Sequence, residues 1–535
     1  MKNKAVAQLL RDIADFLEMQ DVAYKPQAYR KAARSVETLT DPVEEYHEDD
    51  RLQEIDGVGE HIADKIAEYL ETGELEYYEE LKQEVPVDVE ALTAVEGLGP
   101  KRVKKLYDAL GITTLDELED AAEAGDIAEV EGFGETSQEN ILDHIALARK
   151  GEERMLLGAV FPLVAELEDA IAATGAFNQV EAAGSFRRRK PTIGDVDVLA
   201  TADDHAAAMD AFCSLPGVTA VLSRGETKSS VMLDDTVQVD LRIVDASSWG
   251  AALLYFTGSK DHNVALRKRA QQRDWMLNEY GVMEDGEAVA AETEDAVYDA
   301  LGLAFIPPEL RENTGEVDAA ADGTLPDLVA RDDVRGDLQM HTTWSDGDAS
   351  IGEMAEAAAR EGHDYILVTD HGPTLPVVDG IKTVEELEEQ QAEIAAVNEE
   401  MDIDVLHGIE TDITGDGLGV PDEMVDIVDL VVASIHTKPA HPTDAVVTAF
   451  QDGADIWGHP TNRKIHEREP NRLDLDWQHV KEYRGTVDFV VSTDAHSPQE
   501  LGFMHLGVAQ ARRGWLEAGD VLNTRKKDGL LAFFD

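Results

Sequence analysis

The 535-residue sequence has a single cysteine, Cys213, and no apolar run long enough to span a bilayer. A lone cysteine excludes an internal disulfide framework and fits a reducing cytoplasm. Cys213 follows Ala211 and Phe212, so we expect a buried core thiol and not a nucleophile. A membrane-spanning helix needs about 20 apolar residues, and the first residues lack the apolar region of a secretory signal. The sequence therefore predicts a cytoplasmic protein that has no membrane partner.

Positively charged residues are also scarce. Lys and Arg number 46 against 111 Asp and Glu, which gives a formal net charge of −65. Such a surface repels nucleic acid at low salt, but at molar salt the Debye length falls to about 3 Å and the repulsion is largely screened. The same salt removes most of the gain from counterion release, so DNA binding would depend on short-range contacts. We interpret the charge as an adaptation to a hypersaline cytoplasm. Acidic disorder is the alternative, which the periodic apolar pattern disfavours.

The stretch from Gly184 to Arg189 concentrates residues that can bind phosphate. Gly184 lets the backbone approach an oxyanion, and the Ser185 hydroxyl together with successive N–H groups can hold a phosphate. Three consecutive arginines then supply positive charge to a chain that is otherwise acidic. A short strand before Gly184 is predicted to lead into this turn.

Three aspartates follow the turn. After Gly194, the sequence Asp-Val-Asp-Val-Leu-Ala predicts a strand with Asp195 and Asp197 on one face and the valines behind. Two like charges on one face repel, so such a pair usually holds a divalent cation. Asp240 lies in a second alternating segment that we expect beside the first. These features describe two-metal nucleotidyl transfer; the alternative is a solvated strand edge beside a basic turn.

An aromatic pair and a glycine turn, Tyr255-Phe256-Thr257-Gly258-Ser259, come next. In this order the motifs resemble those of the family X DNA polymerases, the group of DNA polymerase beta. The resemblance implies that Asp195, Asp197 and Asp240 are catalytic and ligate two Mg²⁺ or Mn²⁺ ions. It also implies that the incoming dNTP contacts Gly184, Ser185, Arg188, Tyr255, Phe256, Gly258, Asn263 and Arg267. Two positions depart from the family: Arg189 replaces a glycine, and Gln238 replaces an arginine of the animal enzymes.

The N-terminal region repeats a Gly-apolar-Gly pattern before three helical segments, at Gly57 and Gly59, Gly97 and Gly99, and Gly132 and Gly134. Such a hairpin presents backbone N–H groups and a helix N-terminus to a DNA phosphate without needing a basic side chain. The three repeats resemble helix-hairpin-helix motifs; ordinary helix–helix turns are the alternative. Lys65 matches the position of the family's Schiff-base lysine, which implies an AP-lyase role. The alternatives for Lys65 are a phosphate contact or a solvated helix lysine.

Histidines at the ends of apolar strands mark the C-terminal part. Strands that alternate with helices predict a β/α barrel-like domain, in which strand C-termini converge on one mouth. Mixed imidazole and carboxylate ligands there suit Zn, Mn or Fe better than Mg. This part resembles the PHP (polymerase and histidinol phosphatase) domain. The resemblance implies up to three Zn²⁺ or Mn²⁺ ions and the ligands His341, Asp346, His371, Glu410, His436, His459, Asp494 and His496. One departure is Gln339, which stands where the PHP pattern has a histidine.

The predicted fold class is multidomain, α+β and α/β. We expect a helical DNA-binding region over 1–150 with three helix-hairpin-helix motifs, a nucleotidyltransferase palm over 151–248, and a nucleotide-selecting, thumb-like subdomain over 249–313. A linker over 314–334 and a PHP phosphoesterase domain over 335–535 complete the chain.

The predicted function is gap filling by a DNA polymerase in DNA repair, including base excision repair. The PHP domain would add 3′–5′ exonuclease or phosphoesterase activity and AP-site processing. The predicted partners are gapped or primed DNA and dNTPs, and the source is a prokaryote of haloarchaeal type. We expect a monomer. One alternative is a DNA-end-binding PHP phosphoesterase with a non-catalytic polymerase half; another is a non-catalytic DNA-end scaffold.

Overall fold

The computed structural model describes residues 3–534, except residues 21, 23, 38, 40–42, 49–50, 73–74, 96–97, 135–136, 139–140, 143–153, 375–379, 416, 438 and 461–487. The chain forms two compact units. The first consists of residues 1–154, 174–181 and 194–301, and the second consists of residues 155–173, 182–193 and 302–535. Among the described residues, no helix combines the length and apolar character that crossing a bilayer requires.

The N-terminal part of the first unit is helical because apolar side chains recur every three or four residues. In the first helix, Val6, Leu10, Ile13 and Leu17 are buried in one continuous core, as the helical period requires. The helices are α1 (Asn3–Met19), α2 (Lys25–Glu37), α3 (Val43–Glu48), α4 (Glu60–Thr72), α5 (Glu76–Glu84), α6 (Val89–Ala94), α7 (Pro100–Leu110) and α8 (Leu115–Ala124). The 3₁₀ turn Leu52–Glu54 lies between α3 and α4, and the 3₁₀ turn Asp126–Glu129 follows α8.

The middle of the chain contains a five-stranded sheet. Its elements are β1 (Met155–Leu156), α9 (Leu157–Ala173), β2 (Gln179–Ala182), α10 (Gly184–Arg187), β3 (Thr192–Ile193), β4 (Asp195–Thr201), α11 (His205–Cys213), β5 (Val218–Arg224), β6 (Lys228–Leu233) and β7 (Val237–Ile243). The strand order is β2-β4-β7-β6-β5, and the short strands β1 and β3 pair separately. β4 and β7 are parallel neighbours, whereas β6 is antiparallel to both β7 and β5.

The predicted strand from Asp195 and its pairing with the Asp240 strand are confirmed. Val196 and Val198 are buried and the intervening Asp197 is not, because successive side chains of a strand point to opposite faces. We predicted that Cys213 is buried in the core, and this prediction is wrong. The side chain is half-buried, because Cys213 is the last residue of α11.

A smaller group of elements completes the first unit: the 3₁₀ turn Ala246–Ser248, then α12 (Trp249–Thr257), α13 (Lys260–Gln271), β8 (Met276–Asn278), β9 (Gly281–Glu284), β10 (Glu287–Ala290) and α14 (Glu294–Ala300). The three strands form an antiparallel sheet. Gly250 lets α12 approach the start of α14, because a Cβ atom at Gly250 would lie 2.1 Å from the carbonyl carbon of Thr293.

The C-terminal part of the second unit is built on a parallel sheet. Its elements are α15 (Glu316–Asp322), β11 (Gly336–Asp337), α16 (Ile351–Arg360), β12 (Tyr365–Val368), α17 (Val384–Glu400), β13 (Asp404–Thr414), β14 (Gly417–Leu418), α18 (Asp422–Val425), β15 (Leu430–Ser434), α19 (Pro442–Gln451), β16 (Ile456–Trp457), α20 (Met504–Arg513) and α21 (Lys527–Phe534). The 3₁₀ turns in this part are Pro308–Leu310, Arg331–Asp333, Glu500–Phe503, Ala518–Asp520 and Leu522–Thr524.

The order β11-β12-β13-β15-β16 is parallel throughout, and β14 pairs antiparallel with β13. All residues of β12 and β15 are buried, which is expected when helices cover both faces of a parallel sheet. The predicted fold class is thereby confirmed. The segment 314–334, which we predicted as a linker, contains the helix α15.

Candidate active sites

The three predicted aspartates of the first unit meet at the β4–β7 pair. Asp197 lies directly opposite Asp240, and Asp195 lies opposite Gln238. One carboxylate oxygen of each aspartate lies within 4.8 Å of those of the other two. Three carboxylates this close repel one another unless a cation offsets their charge. Their oxygen-only donor set is the set that Mg²⁺ or Mn²⁺ prefers, so the residues present fit a divalent metal.

The Asp240 carboxylate has a lysine partner that the sequence analysis missed. Lys228 Nζ lies 2.6 Å from Asp240 Oδ2, and Gln238 Nε2 donates to Asp240 Oδ1 at 2.9 Å. Ser230, opposite Asp240 on β6, also donates a hydrogen bond to it. Burial raises the pKa of Asp240, but these three partners outweigh it and hold that pKa below its usual value. Gln238, which stands where the animal enzymes have arginine, therefore contacts the Asp240 carboxylate together with Lys228.

The residues predicted at the sugar and base of the nucleotide meet at the junction of α12 and α13. Asn263 Nδ2 donates to the Tyr255 carbonyl at 2.7 Å, and Arg267 Nε donates to the Asn263 carbonyl at 3.3 Å. The rings of Tyr255 and Phe256 meet edge to face with centroids 5.1 Å apart. Gly258 ends α12 with φ of +69°. The structure thus brings these five residues together within the first unit.

The predicted phosphate-binding turn lies in the second unit and forms the short helix α10. Gly184 has φ of +58°, which glycine adopts without steric cost. The Ser185 carbonyl accepts the N–H of Lys190 at 3.0 Å, which closes the turn. Arg188 Nε lies 3.2 Å from Glu312 Oε1, so the arginine forms an ion pair with a carboxylate that the sequence did not indicate.

The three N-terminal hairpins share one pattern of backbone hydrogen bonds. The same hydrogen bond, from a backbone N–H to the carbonyl three residues earlier, closes each at 2.9 Å: Val58 to Ile55, Leu98 to Val95 and Phe133 to Val130. A helical hydrogen bond then begins at the last glycine of each motif, namely Gly59, Gly99 and Gly134. The repeat inferred from the sequence is therefore accompanied by a repeated pattern of backbone hydrogen bonds. Gly97 lies outside the described residues.

The glycines of these hairpins fall into two physical groups. Gly57 and Gly132 have φ of +83° and +93°, where a side chain would be strained. Gly59, Gly99 and Gly134 have ordinary φ values, and a Cβ atom added to any of them would contact nothing within 4 Å. The fold does not require glycine at these three positions.

Lys65, the predicted lyase nucleophile, lies on α4 after the first hairpin. Its Nζ is 4.5 Å from the centre of the Tyr77 ring, a distance at which the ring face attracts an ammonium group. The lysine is half-buried and therefore is not simply a solvated surface residue.

The predicted ligands of the second unit converge because parallel strands end at one edge of a sheet. Backbone bridges join Met340 to Ala495 and His371 to Glu410 at this edge. The side chains that meet there are His341, Asp346, His371, Glu410, His436, His459, Asp494 and His496.

Glu410 is the centre of this cluster. Its Oε2 lies 3.2 Å from His341 Nε2 and 3.5 Å from His371 Nδ1. Its Oε1 lies 3.0 Å from His459 Nε2 and 3.7 Å from His436 Nε2. A single carboxylate therefore faces four imidazoles, so Glu410 and these histidines could hold metal ions together.

Two further carboxylates lie close to imidazole nitrogens of the cluster. Asp346 Oδ2 lies 3.6 Å from His371 Nε2 and 3.5 Å from His496 Nε2, and Asp494 Oδ1 lies 3.2 Å from His341 Nε2. The ring of His341 stacks between those of His371 and His496, with centroids 4.4 and 4.3 Å apart.

The electrostatics of the cluster also fit metal ions. Burial lowers the pKa of His341, but hydrogen bonds to Asp494 and Glu410 raise it well above the usual value. Burial raises the pKa of Glu410, but His341 and His459 hold it well below the usual value. Nδ1 of His341 and Nδ1 of His459 are buried without a hydrogen-bond partner among the described residues. Carboxylates that stay ionised beside imidazoles suit Zn or Mn.

Gln339, the departure from the PHP pattern, is buried beside the cluster. A Cβ atom at Gly458 would lie 3.3 Å from Gln339 Oε1, so the amide points toward the strand end that carries His459. Its Nε2 has no hydrogen-bond partner among the described residues.

Comparison with known proteins decides the family. The DNA polymerase/3′-5′ exonuclease PolX of Bacillus subtilis (strain 168) is 34% identical over 571 residues, which cover 100% of this chain and 99% of the relative. The chain belongs to DNA polymerase family X. Models of known domains match four parts of this family X chain: a helix-hairpin-helix domain at 1–75, a SAM-like helix-hairpin-helix tandem at 89–146, a DNA polymerase beta thumb at 252–312 and a PHP domain at 337–511.

Two other relatives each match only part of the family X chain. DNA polymerase lambda of Rattus norvegicus is 26% identical over 351 residues, which are 58% of this chain and 56% of lambda. A probable phosphatase of Thermoanaerobacter sp. (strain X514) is 31% identical over 138 residues, which are 23% of this chain and 54% of the phosphatase. The chain is thus similar both to a polymerase and to a phosphatase.

Two supporting carboxylates of the PHP domain were also missed. Asp412 Oδ1 lies 2.8 Å from His436 Nδ1 and fixes the orientation of that ring. Asp370 is fully buried and accepts hydrogen bonds from the Thr342 and Ser345 hydroxyls at 2.7 and 2.6 Å, which holds the loop that leads to Asp346. Asp412 could have been found, because it lies two residues after Glu410 on one strand face.

Proposed function

We propose that this family X protein fills short gaps in DNA during repair and trims 3′ ends with its PHP domain. One observation carries the proposal: a cluster of three aspartates and a cluster of eight histidines and carboxylates occur in the same chain. The B. subtilis relative, which aligns over the full chain, is a DNA polymerase/3′-5′ exonuclease. The proposed partners are gapped or primed DNA and dNTPs, and we propose that the protein acts as a monomer, which light scattering can test.

In the polymerase half, Asp195, Asp197 and Asp240 would hold two Mg²⁺ or Mn²⁺ ions. Such ions lower the pKa of a primer 3′-hydroxyl and neutralise the triphosphate. Lys228 keeps the Asp240 carboxylate ionised and oriented. The three carboxylates project from one strand pair, and a rigid platform of this kind favours a reproducible metal geometry.

Two groups of residues are proposed to bind the nucleotide. Gly184, Ser185 and Arg188 are proposed for the triphosphate, since a glycine turn with a hydroxyl and a guanidinium is suited to phosphate oxygens. Tyr255, Phe256 and Gly258 are proposed for the sugar, with Asn263 and Arg267 at the nascent base pair. Arg188→Ala should raise the KM for dNTP, and an unchanged KM would remove Arg188 from the site.

The PHP half would hold up to three Zn²⁺ or Mn²⁺ ions through the eight ligands. Bound ions would supply the Lewis acid and the activated water for hydrolysis of a phosphodiester at a 3′ end. Glu410 faces four imidazoles and would hold the ions together with them, while Asp412 orients His436. Asp370 would keep the Asp346 loop in position.

The hairpin glycines support DNA binding through the backbone. The protein does not need glycine at Gly59, Gly99 or Gly134, so we propose that a DNA phosphate approaches these positions too closely for a side chain. Alanine substitutions there should weaken the Kd for gapped DNA about fivefold each and leave the melting temperature unchanged. Gly519→Ala, where a Cβ also meets open space, is the matched control. Equal Kd values for all four variants would contradict the proposal.

We propose an AP-lyase role in base excision repair for Lys65. The Tyr77 ring beside its Nζ shields one side of the amine from water. Trapping of AP-site DNA with borohydride should yield a covalent complex with the native chain and none with Lys65→Ala. A complex that persists in Lys65→Ala would exclude this residue.

The acidic composition supports a hypersaline cytoplasm of haloarchaeal type as the protein's environment. With a net charge of −65, self-repulsion destabilises the fold at low salt and is screened at high salt. The melting temperature should therefore rise steeply between about 0.2 M and about 3 M KCl. A melting temperature that is independent of KCl would contradict this proposal.

We propose the domain boundaries 1–150, 151–248, 249–313, 314–334 and 335–535, which limited proteolysis can test. Residues 143–153, around the first boundary, lie outside the described part of the chain.

The decisive experiment uses a gapped duplex with a labelled primer in high KCl with Mg²⁺ or Mn²⁺. Extension should occur with dNTPs, and shortening of the primer should occur without them. Asp195→Ala should lose extension and retain shortening, and His371→Ala should do the reverse. If Asp195→Ala extended normally, the protein would be a DNA-end-binding phosphoesterase with a non-catalytic polymerase half. If neither substitution changed any activity, it would be a DNA-end scaffold.

A further inference from the structure

Helix α20 of the PHP domain ends against the backbone of the phosphate turn. Within the second unit, Arg513 Nη1 donates to the Arg188 carbonyl at 2.6 Å, and Gln510 Nε2 donates to the Arg189 carbonyl at 3.1 Å. The donors lie more than 300 residues after the turn in the sequence. Both consecutive carbonyls of the turn are therefore held by one face of a PHP helix.

The other side of the same two peptide groups is bonded within the turn. The N–H of Arg189 donates to the Phe186 carbonyl at 2.9 Å, and the N–H of Lys190 donates to the Ser185 carbonyl at 3.0 Å. Because a peptide group is planar, fixing its N–H and its C=O fixes its orientation. The contacts from Gln510 and Arg513 thus complete the set that determines the shape of the turn.

Arg189 shows why outside support is needed. It has φ of +54°, a conformation that glycine adopts freely and that a side-chain-bearing residue adopts at a cost. Its guanidinium lies 5.0 Å from the ring centres of both Phe161 and Phe186. The stacked side chain and the Gln510 hydrogen bond together hold a conformation that arginine would not choose by itself.

Charge connects the same helix to Arg188. Glu312 Oε1 lies 3.2 Å from Arg188 Nε and 3.3 Å from Arg513 Nη1, and Lys190 Nζ lies 3.5 Å from Oε2. Burial raises the pKa of Glu312, but the positive charges of Arg188, Lys190 and Arg513 outweigh it and lower that pKa. If Arg188 turned toward a triphosphate, Arg513 and Lys190 would still neutralise the carboxylate.

We propose that Gln510 and Arg513 are positioning residues for nucleotide binding, which hold the 184–190 turn in shape and neutralise Glu312 beside it. The inference rests on the proposed function of this turn in binding the triphosphate. It makes the PHP domain a structural part of the nucleotide site, independently of its own metal cluster. Loss of Arg513 would leave Glu312 with one cation fewer, so that it binds Arg188 more tightly and repels an incoming triphosphate.

Single-nucleotide gap filling separates these effects, with KM for dNTP and kcat measured for each variant of the full chain. Arg513→Ala should raise the KM about tenfold and Gln510→Ala about threefold, with kcat changed less than twofold, as expected for loss of one charge-assisted and one neutral hydrogen bond. Arg512→Ala is the matched control, since Arg512 lies beside Arg513 on α20 but contacts Glu309 and the Val329 carbonyl. It should leave the KM unchanged.

Two further variants make the outcome unambiguous. Glu312→Gln combined with Arg513→Ala should recover most of the lost KM, because the carboxylate that needed Arg513 is gone. Exonuclease activity without dNTPs should stay at the native level in every variant.

If Arg188→Ala raises the KM while Arg513→Ala and Gln510→Ala do not, the inference fails and the function of the turn stands. If Arg188→Ala leaves the KM unchanged, the function of the turn fails. If Arg513→Ala lowers exonuclease and extension equally, its role is structural and the inference is wrong.

Discussion

Lys228 Nζ lies 2.6 Å from Asp240 Oδ2, across the antiparallel pair of β6 and β7. The lysine comes from the strand beside the one that carries Asp240, and Gln238 occupies the other carboxylate oxygen. A carboxylate that has both oxygens engaged in this way is held in one orientation. The positive charge of Lys228 also offsets part of the repulsion among the three neighbouring aspartates.

Replacing Lys228 should impair polymerisation and shift its pH dependence. Lys228 helps to hold the pKa of Asp240 below its usual value, so Lys228→Ala raises that pKa and Asp240 becomes protonated at a higher pH as the solution is acidified. The acidic limb of the pH profile of kcat should therefore move to higher pH, and kcat at neutral pH should fall about tenfold. Lys228→Arg should retain most of the activity.

Arg224→Ala is the control for Lys228, because Arg224 lies on the neighbouring strand β5 and pairs with Asp210 at the surface. An unshifted acidic limb in Lys228→Ala would contradict the role assigned to the lysine.

Removing Asp412 should weaken metal binding by the PHP domain without removing any of the proposed ligands. Asp412 accepts from His436 Nδ1, and loss of such an orienting carboxylate typically costs 10- to 100-fold in metal affinity or activity. Exonuclease activity titrated with Mn²⁺ should show a half-saturating concentration raised by about that factor in Asp412→Ala, and less in Asp412→Asn. Asp402→Ala, an exposed carboxylate before the same strand, should behave like the native protein. Equal titrations for Asp412→Ala and Asp402→Ala would disprove the assignment.

Chelation should destabilise the PHP domain. Asp346, Glu410 and Asp494 bring three carboxylates into one cluster, and a metal that binds only the folded state stabilises it by mass action. Removal of metal should lower the melting temperature by about 5 °C or more, and added Zn²⁺ or Mn²⁺ should restore it. His371→Ala, which lacks one ligand, should show a smaller difference between chelated and metal-loaded protein. A melting temperature unaffected by chelator would show that the cluster contributes nothing to stability.

His363 should make the protein less stable in mild acid. Burial, together with the charge of Arg331, lowers the pKa of His363 to about 4, whereas the unfolded chain has a pKa of about 6.5. Below pH 6.5 the unfolded state therefore binds a proton that the folded state does not bind until about pH 4. Stability should fall over this interval by up to about 3 kcal/mol.

Urea unfolding at about pH 7 and about pH 4.5 measures this effect. The stability lost between the two values should be smaller in His363→Gln, which keeps an acceptor for Arg331 Nη2. His441→Gln, at an exposed position, should lose as much as the native protein. If all three proteins lost the same stability, the histidine would not be the titrating group.

Much of both sites could be predicted because their residues follow local rules. Asp195 and Asp197 alternate with buried valines, so their common face follows from the period of a strand. His371 and Glu410 were predictable for a different reason, since ends of parallel strands must meet at one edge. Asp412 obeys the same alternation as Glu410 and was missed only because no motif drew attention to it.

Lys228 was harder to identify, because its role depends on which strand pairs with β7 and in what register. The half-buried position of Cys213 likewise depends on where α11 ends, which apolar composition alone does not determine.

The amino-acid sequence by itself determined the family, the two clusters of potential metal ligands and the repeated hairpins, because strand alternation, the common edge at which parallel strands end and a repeated spacing can all be read from local patterns. Only the tertiary structure decided that Glu312 pairs with Arg188, that Gln510 and Arg513 hold the turn, and that Lys228 faces Asp240. The reason is physical: periodicity determines which way a side chain points, but its partner from a distant segment is chosen by packing, where burial makes an unpaired charge costly.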